Sequence, residues 1–226
     1  MDLVTIAKDA VEKAERNDTR LPDNFPDEKK EYSLSGYKGR TLINHVCHNF
    51  GIKYLEVGSY AGSTFCSALY KNSIDATAVD IWERFIEQPR AGIVKDLFFE
   101  RVKKYAMPNR IRVVEEDIYE FSTPQKIGTN FNVFFFDGDH TAQATEMAIV
   151  MADQCVKDEF IFICDDYAML STRKGVADGI SEMGYEVLYE KELGSVQPYD
   201  WYKDKADMSQ PDWWCNYYIA VLRKHA

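Results

Sequence analysis

Several features that would place this chain at once are missing from it. The five cysteines (Cys47, Cys66, Cys155, Cys164 and Cys215) are odd in number and form no CxxC pair. A disulfide framework or a zinc knuckle is therefore not expected, and reduced thiols in a cytoplasmic protein are the simplest account. No stretch approaches the roughly 20 apolar residues that a membrane span needs. The N-terminal "MDLVTIAKDAVEKAERND" lacks the basic leader, long apolar core and small-residue cleavage site of a signal peptide. Positive charge is scarce: 27 Lys and Arg stand against 37 Asp and Glu, a net charge of -10. Phosphate backbones are held by clustered Lys and Arg, so nucleic acid is not an expected partner. The nearest approach to a basic cluster, Arg101, Lys103 and Lys104, reads as the solvated face of a helix.

What the chain does have is alternation. At 226 residues and 46% hydrophobic it suits one globular domain with a sizeable core. Apolar residues at Leu3, Ile6, Ala7, Ala10, Val11 and Ala14 follow helical spacing. They predict an N-terminal helix packed on the domain or on a partner subunit. Residues 18–36, rich in Pro, Asp, Asn and Lys, read as a loop leading into the main domain, 37–226. Short apolar runs then predict strands at 53–57, 76–80, 111–114, 132–136, 160–164, 185–189 and 217–222. Helical patterns lie between the early ones, at 62–70, 89–105, 141–152 and 172–183.

Strands alternating with helices imply parallel βαβ units, and all-apolar strands imply a sheet covered on both faces. The expected architecture is α/β and Rossmann-like: seven strands, mostly parallel, with helices on both faces. No helix separates the last two strands, so they should pair antiparallel and give one antiparallel edge strand. Their connection, 194–216, is long and polar yet carries Tyr199, Trp201, Tyr202, Trp213 and Trp214. It reads as a lid or substrate wall, with an oligomer contact such as a homodimer as the alternative.

Ligands of open α/β sheets bind at the carboxyl ends of the strands. The first strand runs into Glu56-Val-Gly58-Ser-Tyr-Ala-Gly62, where glycines allow a sharp turn and close approach of a ligand. The spacing is GxxxG behind an acid rather than GxGxxG, which disfavours a dinucleotide and hence a nicotinamide dehydrogenase. The second strand ends in Asp80, whose carboxylate can accept both hydroxyl protons of a ribose. The third leads into "RVVEEDIYEF", with Asp117 and Ile118.

This pattern resembles motif I of the class I S-adenosylmethionine-dependent methyltransferases, over roughly residues 40–192. The resemblance implies that Glu56, Gly58, Ser59, Tyr60, Gly62 and Ser63 hold the methionine part of S-adenosylmethionine. It also puts Asp117 beside the adenine amino group and Ile118 against the adenine ring. Tyr60 and Trp82 would flank the cofactor, stacking on it or only filling space. Each acid could instead cap a helix.

"VFFFDGDH", 133–140, repeats the plan further along: Val133 to Phe136 read as a buried strand and Asp137 as its exit into the ligand crevice. "FIFICDDYAML" ends alike, with Asp165 and Asp166, one strand-helix-strand repeat later. Asp137, Asp139, Asp165 and Asp166 should then share a small volume. Clustered carboxylates shed their mutual repulsion by binding a proton or a cation. All-oxygen ligands suit Mg²⁺, Ca²⁺ or Mn²⁺ and disfavour zinc.

With Asp137-Gly138-Asp139 and Asp165-Asp166-Tyr167 in these places, the chain resembles the metal-dependent O-methyltransferases. The likeness is greatest to the macrocin O-methyltransferase family of sugar-tailoring enzymes, and a broad group of methyltransferases also carries DGDH here. The resemblance implies Asp137, Asp165 and Asp166 as metal ligands, Asp137 also beside the cofactor, and Asp139 as general base. His140 departs from the tailoring enzymes, which have a bulky apolar residue there. It is a second candidate base, because an imidazole titrates near neutrality; alternatively it opens the helix at Thr141. Capping of helices by Asp139 and Asp166, with no ion, is the alternative for the whole cluster. His45 and His48 read as packing residues.

The activity so implied is methyl transfer to a hydroxyl of a small molecule, a sugar or an aromatic, assisted by a divalent ion. Metal-independent N-methylation and a non-catalytic S-adenosylmethionine-binding protein are the alternatives. No Asn/Asp-Pro-Pro-Tyr motif follows the fourth strand, which counts against methylation of DNA bases or glutamine amides.

Overall fold

The computed structural model describes residues 2–26, 32–82, 90–117, 124–200 and 212–225. Its seven strands form one sheet in the order β3-β2-β1-β4-β5-β7-β6. They are β1 (Lys53–Val57), β2 (Asp75–Asp80), β3 (Arg110–Glu115), β4 (Phe131–Phe136), β5 (Val156–Cys164), β6 (Glu186–Leu193) and β7 (Tyr217–Arg223). The helices are α1 (Leu3–Glu15), α2 (Tyr37–Val46), α3 (Ser63–Leu69), α4 (Arg90–Tyr105), α5 (Pro124–Ile127), α6 (Ala142–Ala152) and α7 (Leu170–Glu182).

β1 to β5 pair in parallel, as their helical crossovers require, while β7 runs antiparallel to both β5 and β6. The antiparallel strand lies one place inside the edge, and β6 forms the edge. Composition explains the exchange. β7 (YYIAVLR) is buried over its first six residues, whereas β6 (EVLYEKEL) keeps only Leu193 buried. The apolar strand takes the covered position and the charged one faces solvent.

Alternation along the strands builds two cores. Tyr54, Val133, Phe135, Ile161 and Ile163 share one face with α1 to α4; Leu55, Phe134, Phe136, Phe162 and Cys164 share the other with α6 and α7. The N-terminal helix buries Leu3, Ile6, Ala7, Ala10, Val11 and Ala14, the six residues marked by its spacing, in the first of these cores. Arg101 corrects the reading of the α4 surface. It stands on the inward stripe with Val94, Leu97, Phe98 and Val102, is 1% exposed, and donates to the Ala61 carbonyl at 2.8 Å. All five cysteines are buried thiols, and burial drives those of Cys47 and Cys164 well up from their ordinary pKa. No described helix is long and apolar enough to cross a membrane.

Of the 194–216 connection, residues 201–211 lie outside the described residues. Its start is docked on the entry to α7: Tyr199 is buried, its amide donates to the Ala168 carbonyl, and its own carbonyl accepts from Leu170.

Candidate active site

The sheet register brings the predicted rim together. Val57 is level with Val79 on one side and Phe136 on the other, and Phe136 is level with Cys164. Asp80, Gly58, Asp137 and Asp165 are therefore the first residues past a single line. The ladder continues through them, with Gly58 donating to the Val79 carbonyl (2.9 Å), Asp137 to Val57 (2.9 Å) and Asp165 to Phe136 (3.1 Å). A cavity of about 750 Å³ opens there. Among its lining residues are Gly58, Ser59, Tyr60, Ser63, Asp80, Trp82, Asp117, Asp137, Asp139, His140 and Asp166.

On the side of β1 to β3 the glycine loop is held in one shape. Gly58 has φ +87°, and a Cβ there would stand 1.9 Å from the Asp137 carbonyl oxygen, so only glycine lets the first loop touch the fourth. Gly62, at φ +77°, opens α3 without lining the cavity. Asp80 accepts from the amides of Tyr60 and Trp82, each at 2.7 Å, and lines the cavity. Burial moves its pKa up against those hydrogen bonds. Glu56 does not line the cavity. It shares its face of the strand with Tyr54, lies fully buried, and accepts from the Tyr54 hydroxyl and from Thr64 at 3.0 Å. Burial pushes it up to about 7. It supports the loop from below.

Of the two readings of Trp82, filling space accounts for most of the ring. The indole is 1% exposed, donates to the Tyr60 carbonyl at 2.7 Å and packs on Phe98. Asp117 is buried at the cavity wall, and Ile118 lies outside the described residues. The Ser59 hydroxyl lies buried behind the wall beside the Glu56 carboxylate. Tyr60, Trp82, Asp166 and Trp214 all line the cavity at positive φ. Such conformations cost on the order of 1–3 kcal/mol each and concentrate where a site is held rigid.

On the side of β4 and β5 the acids converge. Ligand atoms of Asp137, His140 and Asp166 lie within 4.8 Å of one another, and His140 Nε2 is 3.0 Å from Asp166 Oδ2. Asp165, implied as a third carboxylate ligand, is not in that group, and His140 takes its place. The cause is local. Asp165 stays buried below the rim, accepting the Asp166 amide at 2.7 Å and facing the buried Tyr217 hydroxyl. Asp166 then turns outward at φ +54°. Burial, then repulsion from its acidic neighbours, holds each of Asp137 and Asp165 well above the usual carboxylate range. Asp139 accepts the Thr141 amide at 2.9 Å, while Thr141 itself caps α6. The capping alternative thus holds for Asp139 in part; Asp166 caps nothing, since Met169 is the N-cap of α7.

Leu34 and Met169 also line the cavity and carried no sequence signal. Leu34 belongs to the loop 18–36, and Trp214 to the far end of the 194–216 connection. The two segments meet at the start of α2, where Lys38 donates its amide to the Asp212 carbonyl at 2.7 Å and pairs with its carboxylate at 3.1 Å. A Cβ on Gly36 would lie 2.5 Å from that same carbonyl. Ser35 and Ser63 join the wall to α3 through their hydroxyls, 2.8 Å apart.

Sheet order, glycine loop and acidic strand ends together define a class I S-adenosylmethionine-dependent methyltransferase. A family model described as a methyltransferase domain matches residues 55–167, half of the chain, and the chain belongs to that family. A search of curated proteins gave no match. Solved structures share the fold. The N-methyltransferase NodS from Bradyrhizobium japonicum, in complex with S-adenosylhomocysteine, is 16% identical, with 98% of this chain and 100% of that one covered at a TM-score of 0.52. The S-adenosylhomocysteine-bound methyltransferase PaMTH1 from Podospora anserina is 16% identical, covering 96% and 88%, at 0.52. A ribosomal protein L11 methylase from Lactobacillus delbrueckii subsp. bulgaricus is 13% identical, covering 88% and 82%, at 0.53. At these identities the likeness speaks for the fold alone.

Proposed function

We propose that the enzyme methylates a hydroxyl of a small acceptor, a sugar or an aromatic, with a divalent ion held by Asp137, His140 and Asp166. The observation that carries this reading is the convergence of those three side chains within 4.8 Å on the wall shared with the glycine loop. Two carboxylates and an imidazole suit Mn²⁺ among the hard divalent ions; the nitrogen donor favours it over Mg²⁺ or Ca²⁺ and readmits Zn²⁺ or Fe²⁺, and any such cation relieves the repulsion around Asp137. The motifs Asp137-Gly138-Asp139 and Asp165-Asp166-Tyr167 support kinship with the macrocin-type and DGDH-type O-methyltransferases.

When bound, S-adenosylmethionine supplies a methyl on a sulfonium, and the ion lowers the pKa of the acceptor hydroxyl. The chain's own task is alignment and proton removal. Asp80 offers lone pairs to the ribose hydroxyls and Asp117 borders the adenine. Asp139 keeps one oxygen free of the Thr141 amide and takes the acceptor proton. Leu34, Met169 and Trp214 exclude water from a reaction in which geometry matters most.

A second reading uses the same residues without an ion. His140, set 3.0 Å from Asp166, has the arrangement of a general base oriented by a carboxylate. Release of S-adenosylhomocysteine from a panel of hydroxyl compounds, after chelation and after restoring Mg²⁺ or Mn²⁺, separates the two. Turnover lost on chelation and regained with the ion supports the metal reading; turnover indifferent to chelation assigns the base to His140. Cofactor binding by calorimetry with no methyl transferred to any hydroxyl overturns both and favours a binding protein. Methyl groups recovered only on amines favour N-methylation.

A further inference from the structure

We propose that the acceptor carries its reacting hydroxyl beside a cationic amino group, and that acceptors bearing a carboxylate or a phosphate are excluded. This rests on the methyl-transfer reading above and narrows it. Its ground is the charge of the cavity wall. Among the described residues lining it, six carboxylates (Asp80, Glu116, Asp117, Asp137, Asp139 and Asp166) face one imidazole, His140, and no Lys or Arg.

The cofactor end accounts for part of that charge. Asp80 and Asp117 stand there, and Glu116 is ion-paired with Lys126 at 2.5 Å. Of the positive groups near the cavity, two belong to that end: Arg90 donates to the Tyr60 hydroxyl at 2.9 Å, and Lys95 pairs with Glu115 beneath the Trp82 ring. Arg40 and Arg101 lie behind the wall, donating to the carbonyls of Ser35 and Ala61, and do not line the cavity. The opposite end holds Asp137, Asp139 and Asp166 with His140 among them. Cations on the flanking elements are engaged elsewhere. Arg173 pairs with Glu192 and lies over the Tyr167 ring, and Lys38 pairs with Asp212. A divalent ion offsets two of the three negative charges and leaves the acceptor end negative still.

An anionic acceptor entering here loses its water and meets no Lys or Arg among the described lining residues. An ammonium finds carboxylates, and a net charge of -10 steers it inward. The apolar side of the same end fits the remainder of such a molecule. Leu34, 43% exposed, with Met169 and Trp214 offers a surface for a ring or carbon chain, and the indole face also attracts cations.

The test uses matched triads with the same hydroxyls and different charge: glucosamine, glucose and glucuronate; dopamine, catechol and 3,4-dihydroxyphenylacetate. Binding to the protein loaded with S-adenosylhomocysteine is measured by tryptophan fluorescence or calorimetry, at low and high salt. In at least one triad the amine is expected to bind about tenfold or more tighter than its neutral partner, with the acid unbound and the order compressed by salt. Asp139→Asn keeps an oxygen for the Thr141 amide and should shrink the amine-to-neutral ratio several-fold. Equal affinities across every triad that binds, an acid bound as tightly as its amine in each of them, an Asn variant with an unchanged ratio, or no binding in either triad overturns the inference. The readout is affinity, so an intact binding order without methyl transfer counts against the catalytic reading and not against this one.

Discussion

At the ends of β1 and β2, buried acids are met by neutral donors: Glu56 by the hydroxyls of Tyr54 and Thr64, Asp80 by the amides of Tyr60 and Trp82. At the ends of β4 and β5, acids are met largely by one another, and among the described residues it is His140 that sets a nitrogen beside them, 3.0 Å from Asp166. The acids of the first region are finished with neutral hydrogen-bond partners before any ligand arrives. The second holds charge that its own side chains do not neutralise, so it is poised to take up a proton or a cation.

That contrast can be broken or sharpened by substitution. The largest effect is expected at Gly58→Ala, where the regions touch. A methyl 1.9 Å from the Asp137 carbonyl, at φ +87°, should destabilise the fold by about 4 kcal/mol, combining overpacking with left-handed strain. Denaturant titration measures it, and a near-neutral result would mean the loops are not in contact.

Glu56→Gln probes the finished region. The folded-state pKa, about 7, lies above the ordinary 4.5, so the stability Glu56 contributes is full below pH 4.5 and is lost as pH rises towards 7. Removing the charge should flatten the stability profile across that window by on the order of 3 kcal/mol. A slope equal to that of the natural protein in urea midpoints against pH would show Glu56 ionised without cost.

His140→Ala strikes the unfinished region. Turnover should fall by about 100-fold or more, with S-adenosylhomocysteine affinity unchanged within about twofold, because the imidazole faces the acceptor side. Loss of cofactor affinity instead would merge the two regions into one. The smallest effect runs the other way. Asp137→Asn removes a carboxylate whose ionisation the fold opposes, so above the usual carboxylate range the unliganded protein should unfold at a higher temperature. The gain is roughly 2–4 °C for each kcal/mol of relieved repulsion. A lower midpoint would mean that Asp137 is already well paired.

How much of this was legible in the sequence depended on the range of the signal. An apolar run that stops at an acid is a local event, and Asp80, Asp137 and Asp165 were placed at strand ends from it alone. Which acid of the Asp165-Asp166 pair faces the cavity was not legible, since it depends on a left-handed backbone at Asp166 and on the Tyr217 hydroxyl beside Asp165. Glu56 was read as a cofactor contact because it precedes the glycines. Its fate follows from strand parity and from Thr64, a residue on the next helix. Arg101 was misread because an arginine on an apolar stripe is distinguishable only through its partner, the Ala61 carbonyl.

By itself, the order of residues determined the alternation of strands and helices and the acids and glycines that end the strands. These follow from short-range periodicity and from backbone freedom at a few positions. Only the tertiary structure decided that Leu34 and Trp214 share a wall, that β7 enters between β5 and β6, and that His140 rather than Asp165 completes the acidic group. Each of those depends on segments far apart in the chain meeting at one place, where packing and charge choose among partners that local sequence leaves equivalent.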